Sequence, residues 1–121
     1  MFASKWELRV YEWLRRMIPA EHLHLQPAFL LQPECRDDLG RIVRPVRYFA
    51  DFLISRRPRV EEDAPLVEED IVVDAKGWRT EIFRMKAKWF VRAYSKSIRL
   101  VRQNHTEDME TLLAEYRAKF T

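Results

Sequence analysis

One cysteine, Cys35, in a chain of 121 residues rules out an intramolecular disulfide. A single cysteine with three histidines also falls short of the thiolate and imidazole cages that hold structural zinc. His22 and His24 are spaced to share one side of a strand as a metal pair, but the simpler reading makes them loop residues. No stretch reaches the roughly 18 consecutive apolar residues of a membrane span. Glu7 and Arg9 interrupt the apolar residues near the N-terminus, where a secretory signal needs an unbroken hydrophobic region. A cytoplasmic protein with no membrane association is therefore expected. Internal repeats and low-complexity segments are lacking too. The only two glycines, Gly40 and Gly77, fall where apolar patterning breaks.

What is present is a globular composition, 47% hydrophobic and 34% charged, at a length that suits one domain over residues 1–121. The net charge of +3 conceals a strong separation. From Lys76 to Arg102, nine basic residues stand against one acid, Glu81, a net charge of +8. From Glu61 to Asp70 there are six acids and no base. Such a chain attracts a polyanion with one surface and repels it with another. Charge alone leaves an ordinary solvated helix face as an equal reading.

Apolar spacing predicts a first helix through Trp6, Val10, Trp13, Leu14 and Met17, capped by Ser4 and stopped before Pro19. Strand patterning follows in AFLLQ, a turn at Asp38 and Gly40, and then VRYFADFLIS, the two runs forming an antiparallel pair. Residues 57–70 read as a surface loop, and IVVDA as a third strand ended by Gly77. A second helix carries Phe83, Ala87, Phe90, Val91 and Tyr94 on one stripe and Arg84, Lys88 and Arg92 on another. A short strand, SIRLV, precedes a last helix capped by Thr106, with Glu107 and Asp108 at its positive end and Met109, Leu112, Leu113 and Tyr116 on its apolar stripe. The order αβββαβα predicts an α/β (α+β) fold with a mixed central sheet of about four strands flanked by helices.

Two strands carry charge where burial is expected. Alternation along VRYFADFLIS gives two largely apolar faces, so the strand is central, with Asp51 in its middle. In the third strand Val72, Asp74 and Lys76 share a face opposite Ile71, Val73 and Ala75. An ionised carboxylate in such a place costs several kcal/mol unless it is paired or bound to a metal. A buried salt bridge from Lys76 to Asp74 or Asp51 is one reading, but it leaves one carboxylate surplus. A magnesium site is the other: two carboxylates supply hard oxygen ligands, and the lysine addresses a phosphate or an attacking water.

Asp51 followed by Asp74-Ala75-Lys76, with an acid on a preceding helix and this order of elements, resembles the PD-(D/E)XK nuclease superfamily. SKWE, LQPAFLLQP, RPVRYFADF and DAKGWRTEIFRMKAKWF resemble more closely a family of small phage-encoded endonucleases, similar to Holliday-junction resolvases. The likeness runs from about Phe2 to Phe90. It implies a restriction-endonuclease-like core, Asp51 and Asp74 as ligands of Mg²⁺ with Mn²⁺ as substitute, and Lys76 as catalytic lysine. Glu7 matches the helix-borne acid that many members add to the metal site, though Ser4 and Glu7 also have the spacing of a capping box. Ala50 stands where the superfamily has proline, Val73 stands where relatives often have an acid, and the 57–70 loop is long. None of these departures deletes a ligand.

The implied activity is metal-dependent cleavage of DNA, with selectivity for branched DNA such as a Holliday junction as one form. Resolution of a junction takes two symmetric cuts and so implies a homodimer. Arg79 and Thr80, at the start of the second helix, together with Arg84, Lys86, Lys88 and Arg92, are the expected nucleic-acid contacts. An inactive DNA-binding module or a structural subunit of a larger nucleoprotein complex are the alternatives.

Overall fold

The computed structural model describes residues 4–121; the start of the resembling stretch, Phe2 and Ala3, lies outside them. Helix α1 (Lys5–Met17) begins where Ser4 is extended and its Oγ accepts the Glu7 amide N–H at 3.1 Å. Its core side is Val10 and Leu14, continued by Ile18. Met17, expected on the apolar stripe, is exposed instead. A single 3-10 turn (Ala20–His22) leads into β1 (Leu23–Leu25). There follow β2 (Ala28–Gln32), β3 (Cys35–Arg36), β4 (Ile42–Val43), β5 (Val46–Phe49), β6 (Phe52–Ile54) and β7 (Ile71–Lys76). Helix α2 (Glu81–Tyr94), β8 (Arg99–Arg102) and α3 (Thr106–Phe120) complete the chain.

The architecture is mixed α+β. A four-stranded sheet in the order β1-β6-β7-β8 is antiparallel except between β7 and β8, which are parallel and joined through α2. Parallel neighbours need such a crossover, and a helix supplies it. A two-stranded ribbon, β2 with β5, and the short hairpin of β3 with β4 stand apart from the sheet.

Alternation along β6 and β7 divides the core in two. Ile54, Phe52, Ile71, Val73 and Ala75 pack with Val10, Leu14, Ile18, Val101 and Leu112, so α1 and α3 cover that face. Leu53 and Val72 pack on the other side with Phe29, Leu31, Tyr48, Ala50 and Phe90, so the β2-β5 ribbon and α2 cover it. Each fully buried apolar side chain of this size contributes about 1.5–3 kcal/mol. The sheet is thereby dry on both faces, and any charge within it needs a reason.

Several expectations from pattern are corrected here. The run 46–55 is not one strand: it bends at Asp51, and its halves, β5 and β6, belong to different sheets. The turn before β4 is organised by Asp37, whose Oδ1 accepts the Leu39 and Arg41 N–H groups, with Gly40 at φ 77°. Thr106 is the first residue of α3 and His105 is its N-cap. The 57–70 segment is the expected loop, without helix or strand, but it is anchored: Asp70 is buried and Arg59 stacks 4.4 Å over the Phe29 ring. His24 is a strand residue with its Nε2 3.1 Å from Ser55 O, while His22 Nδ1 lies 3.2 Å from the Tyr116 hydroxyl. Among the described residues no helix is long and apolar enough to cross a membrane.

Candidate active site

The site arises from a mismatch of strand lengths. β6 pairs with β7 through Ile54 with Ile71, Leu53 with Val72 and Phe52 with Val73, and there the antiparallel ladder stops. β7 runs on through Asp74, Ala75 and Lys76 beside β8 alone. Continued, the ladder would set Asp74 against Asp51 and then Ala75 against Ala50, but the chain has bent away at Asp51. The Asp51 side chain replaces the lost strand: its Oδ2 accepts the Ala75 N–H at 2.8 Å. On the other side the Lys76 carbonyl accepts the Gln103 N–H at 3.1 Å. The end of β7 is thus fixed by a carboxylate on one flank and a backbone on the other.

Asp74 is wholly enclosed. Its Oδ2 accepts a short hydrogen bond from the Tyr48 hydroxyl. Its Oδ1 has no hydrogen bond, and Lys76 Nζ stands 3.4 Å away. Burial pushes the Asp74 carboxyl up to about 8; the neighbouring Asp51 carboxylate pushes the same way, against the Tyr48 hydrogen bond and the charge of Lys76. Burial, with Asp74 and then Asp51 close by, also drives the Tyr48 phenol upward, so Tyr48 stays a donor. Lys76 is held on its second side by the Phe83 ring, 4.6 Å from Nζ.

Ionised together, the two carboxylates would repel each other with one lysine to balance both, and so Asp74 holds a proton well above the usual carboxylate range when no cation is bound. An enclosed carboxylate oxygen without a hydrogen bond, beside a second carboxylate, is the donor set that a hard divalent cation takes. The residues therefore fit Mg²⁺ or Mn²⁺. Glu7 is different. It is buried in the first turn of α1, which the Trp6 indole N–H pins to Val101 O at 2.8 Å. Val101 pairs with Ala75, so this turn lies level with the end of β7. Yet among the described residues no three His, Cys, Asp or Glu side chains stand together as a metal-holding group. Glu7 is near in height but is not gathered with the pair.

Tyr48 is the site residue that pattern reading misses. Strict alternation sets Tyr48 and Asp51 on opposite faces of one strand. The bend at Asp51 cancels that alternation and lets both reach Asp74. The available signal was a tyrosine three positions before an acid in an otherwise apolar run.

The expected nucleic-acid contacts divide. Thr80 Oγ1 is occupied as the α2 cap, accepting the Phe83 N–H at 3.0 Å. Arg84, Lys88 and Arg92 are exposed on the outer face of α2 and form no ion pair among the described residues. Lys86 lies off that stripe, half-buried, with Nζ donating to Arg47 O at 2.9 Å. Arg79 and Arg84 line a cleft of about 280 Å³ with Lys76, Trp78 and Arg102. Further along the basic segment, Arg99 is bound to Glu115 at 2.6 Å and Arg102 to Asp108 at 2.9 Å. Lys96 donates to the Glu68 and Asp70 carbonyls. In the acidic segment, Glu62 holds Arg47 and Glu69 holds Arg56. Within the basic segment, the positive charge left without an ion pair lies near Lys76 and along α2.

Gly77 does not serve by a left-handed backbone. Its lack of a side chain gives room, since a Cβ there would lie 2.8 Å from Gln103 Oε1.

Fold and site together define a mixed α+β protein with a carboxylate pair and a lysine at the overhanging end of a central strand. Residues 1–106 match the model of the family described as protein of unknown function (DUF1064), and the chain belongs to that family. No curated protein and no solved structure matches it.

Proposed function

We propose that the chain is a metal-dependent endodeoxyribonuclease. The observation that carries this reading is the convergence of Asp51, Asp74 and Lys76 at the end of β7, with an enclosed Asp74 oxygen lacking a hydrogen bond. The resemblance of these residues and their order to PD-(D/E)XK nucleases supports it. So does the exposed stripe of Arg84, Lys88 and Arg92 on the helix that leaves the site.

Asp74 and Asp51 would hold the cation, Mg²⁺ or Mn²⁺. When bound, it supplies Lewis-acid polarisation of a phosphoryl oxygen and a more acidic water. The chain's own residues do the rest. The Tyr48 hydroxyl fixes the rotation of the Asp74 carboxylate, leaving Oδ1 for the ion. Lys76, braced by Phe83, places positive charge where negative charge grows on the phosphate. Arg79, Arg84, Lys88 and Arg92 position the DNA backbone, which fixes orientation without reading sequence. A role in phage-type recombination, replication or packaging fits such an enzyme. If it resolves four-way junctions, it works as a homodimer, because two symmetric cuts need two sites.

The test is cleavage of matched linear duplex, single-stranded, flap and four-way substrates with Mg²⁺, Mn²⁺ or EDTA. Metal-dependent cleavage that Asp74→Asn abolishes is the expected result. Tight DNA binding without cleavage under any metal would instead identify a DNA-binding module. Neither binding nor cleavage would leave a structural subunit.

A further inference from the structure

Trp78 is 81% exposed, whereas Trp6, Trp13 and Trp89 are each partly buried against the core. Its loop is held at both ends, by the Gln103 N–H on the Lys76 carbonyl and by the Thr80 cap of α2. The indole is therefore displayed from a fixed point two residues beyond Lys76. It shares its cleft with Lys76, Arg79, Arg84, Arg102 and His105, and no acid lines that cleft. Arg102 is already matched by Asp108, but Arg79 and Arg84 have no ion-pair partner among the described residues.

A cationic cleft with an open aromatic face selects a ligand that is both anionic and planar. Nucleic acid is such a ligand, but only in part of its forms. Within a duplex every base face is covered by its neighbours, and only the outer faces of the two end pairs are open, so along the helix an indole finds nothing to stack on. An unpaired nucleotide offers a free face, and stacking on it is indifferent to which base it is. We infer that Trp78 stacks on an unpaired nucleotide adjoining the phosphate addressed by Lys76, so that the substrate class is DNA with a single-stranded nucleotide at the cut: a single strand, a flap or an opened branch point.

This inference rests on the nuclease reading above, and the experiment separates the two. Fluorescence anisotropy in EDTA measures binding without cleavage, using labelled single-stranded, flap and blunt duplex oligonucleotides of one sequence. The proteins are wild type, Trp78→Ala and Trp78→Phe. Because Trp78 packs so little surface, both variants should melt with the wild type. Trp78→Ala should weaken single-strand and flap binding between about fivefold and about a hundredfold. Trp78→Phe should keep most of the affinity, and blunt duplex binding should not change with either. Equal losses on blunt duplex, or undiminished flap binding by Trp78→Ala, would overturn the stacking role and leave the nuclease reading standing. Failure of the wild type to bind any of the three DNAs would overturn both.

Discussion

Asp74 should stabilise the protein when it is removed, provided the charge is removed and the shape is kept. Its carboxyl rises from 3.8 to about 8 on folding, so between those values the folded chain keeps a proton that the unfolded chain releases. A group whose pKa rises on folding stabilises fully below its unfolded value, and this stabilisation is lost as pH rises through the folded one. Unfolding free energy in metal-free buffer should therefore fall from about pH 4 to about pH 8. At about 1.36 kcal/mol per pKa unit the whole shift amounts to about 6 kcal/mol. Asp51 bears part of this repulsion, so about 2–4 kcal/mol is expected to be recovered at pH 9 by Asp74→Asn, against much less at pH 5. The asparagine carbonyl still accepts from Tyr48, and its amide can donate to Asp51, so no buried polar group is stranded. Urea unfolding of both proteins at pH 5, 7 and 9 in EDTA measures the difference, in which other titrations cancel. Adding Mg²⁺ at pH 8 should stabilise the wild type and not the variant, because only the native acid pair binds it. A difference between the two proteins that stays constant with pH would refute the reasoning.

Asp51→Asn and Lys76→Ala should abolish cleavage in a gel assay while DNA binding in EDTA persists, since in the proposed site both groups would act on the metal or phosphate and neither belongs to the long basic stripe. Glu7→Gln should leave cleavage near the wild-type rate, because the acid pair forms without it; a lost rate with unchanged melting would return Glu7 to the metal. Replacing Arg84, Lys88 and Arg92 together by Gln should flatten the slope of log affinity against log salt on duplex DNA by about two to three, at roughly 0.9 per phosphate contact. An unaltered slope would move the DNA to another face. Lys86→Gln, by contrast, should leave that slope alone and lower stability slightly, since its ammonium serves the Arg47 carbonyl.

Pattern alone carries the three helices, β2, β7 and β8, and both faces of β7, but not β1, the β3-β4 hairpin or the division of residues 46–55, because only the longer periodic segments announce themselves. That Asp74 and Lys76 share a face follows from the same rule. What pattern cannot carry is where a ladder ends. VRYFADFLIS alternates without interruption, and no glycine or proline marks the bend at Asp51. The bend comes from competition between two sheets, the β2 ribbon claiming Val46 to Phe49 and β7 claiming Phe52 to Ile54. Tertiary pairing of this kind leaves no local trace. Charge counting was misleading for a related reason. Arg99, Arg102 and Lys96 add to the basic sum but are matched by Glu115, Asp108 and loop carbonyls that lie far away in sequence or just beyond the counted window.

The same bend links stability to the proposed chemistry. Had β6 continued through Ala50, the Ala75 N–H would be met by backbone, and Asp51 would have no vacancy to fill. Instead a carboxylate caps the strand, and by doing so it comes within reach of Asp74. Tyr48, displaced by the same bend, satisfies one Asp74 oxygen and leaves the other to Lys76 and to whatever cation arrives. A hydrophobic residue at position 74 would avoid the buried charge, though it would strand the Tyr48 hydroxyl. The acid is thus expensive where it stands, and under the proposed chemistry its cost would fall on binding a divalent ion. The metal-free protein should be the less stable form at neutral pH, and ion binding the step that relieves it.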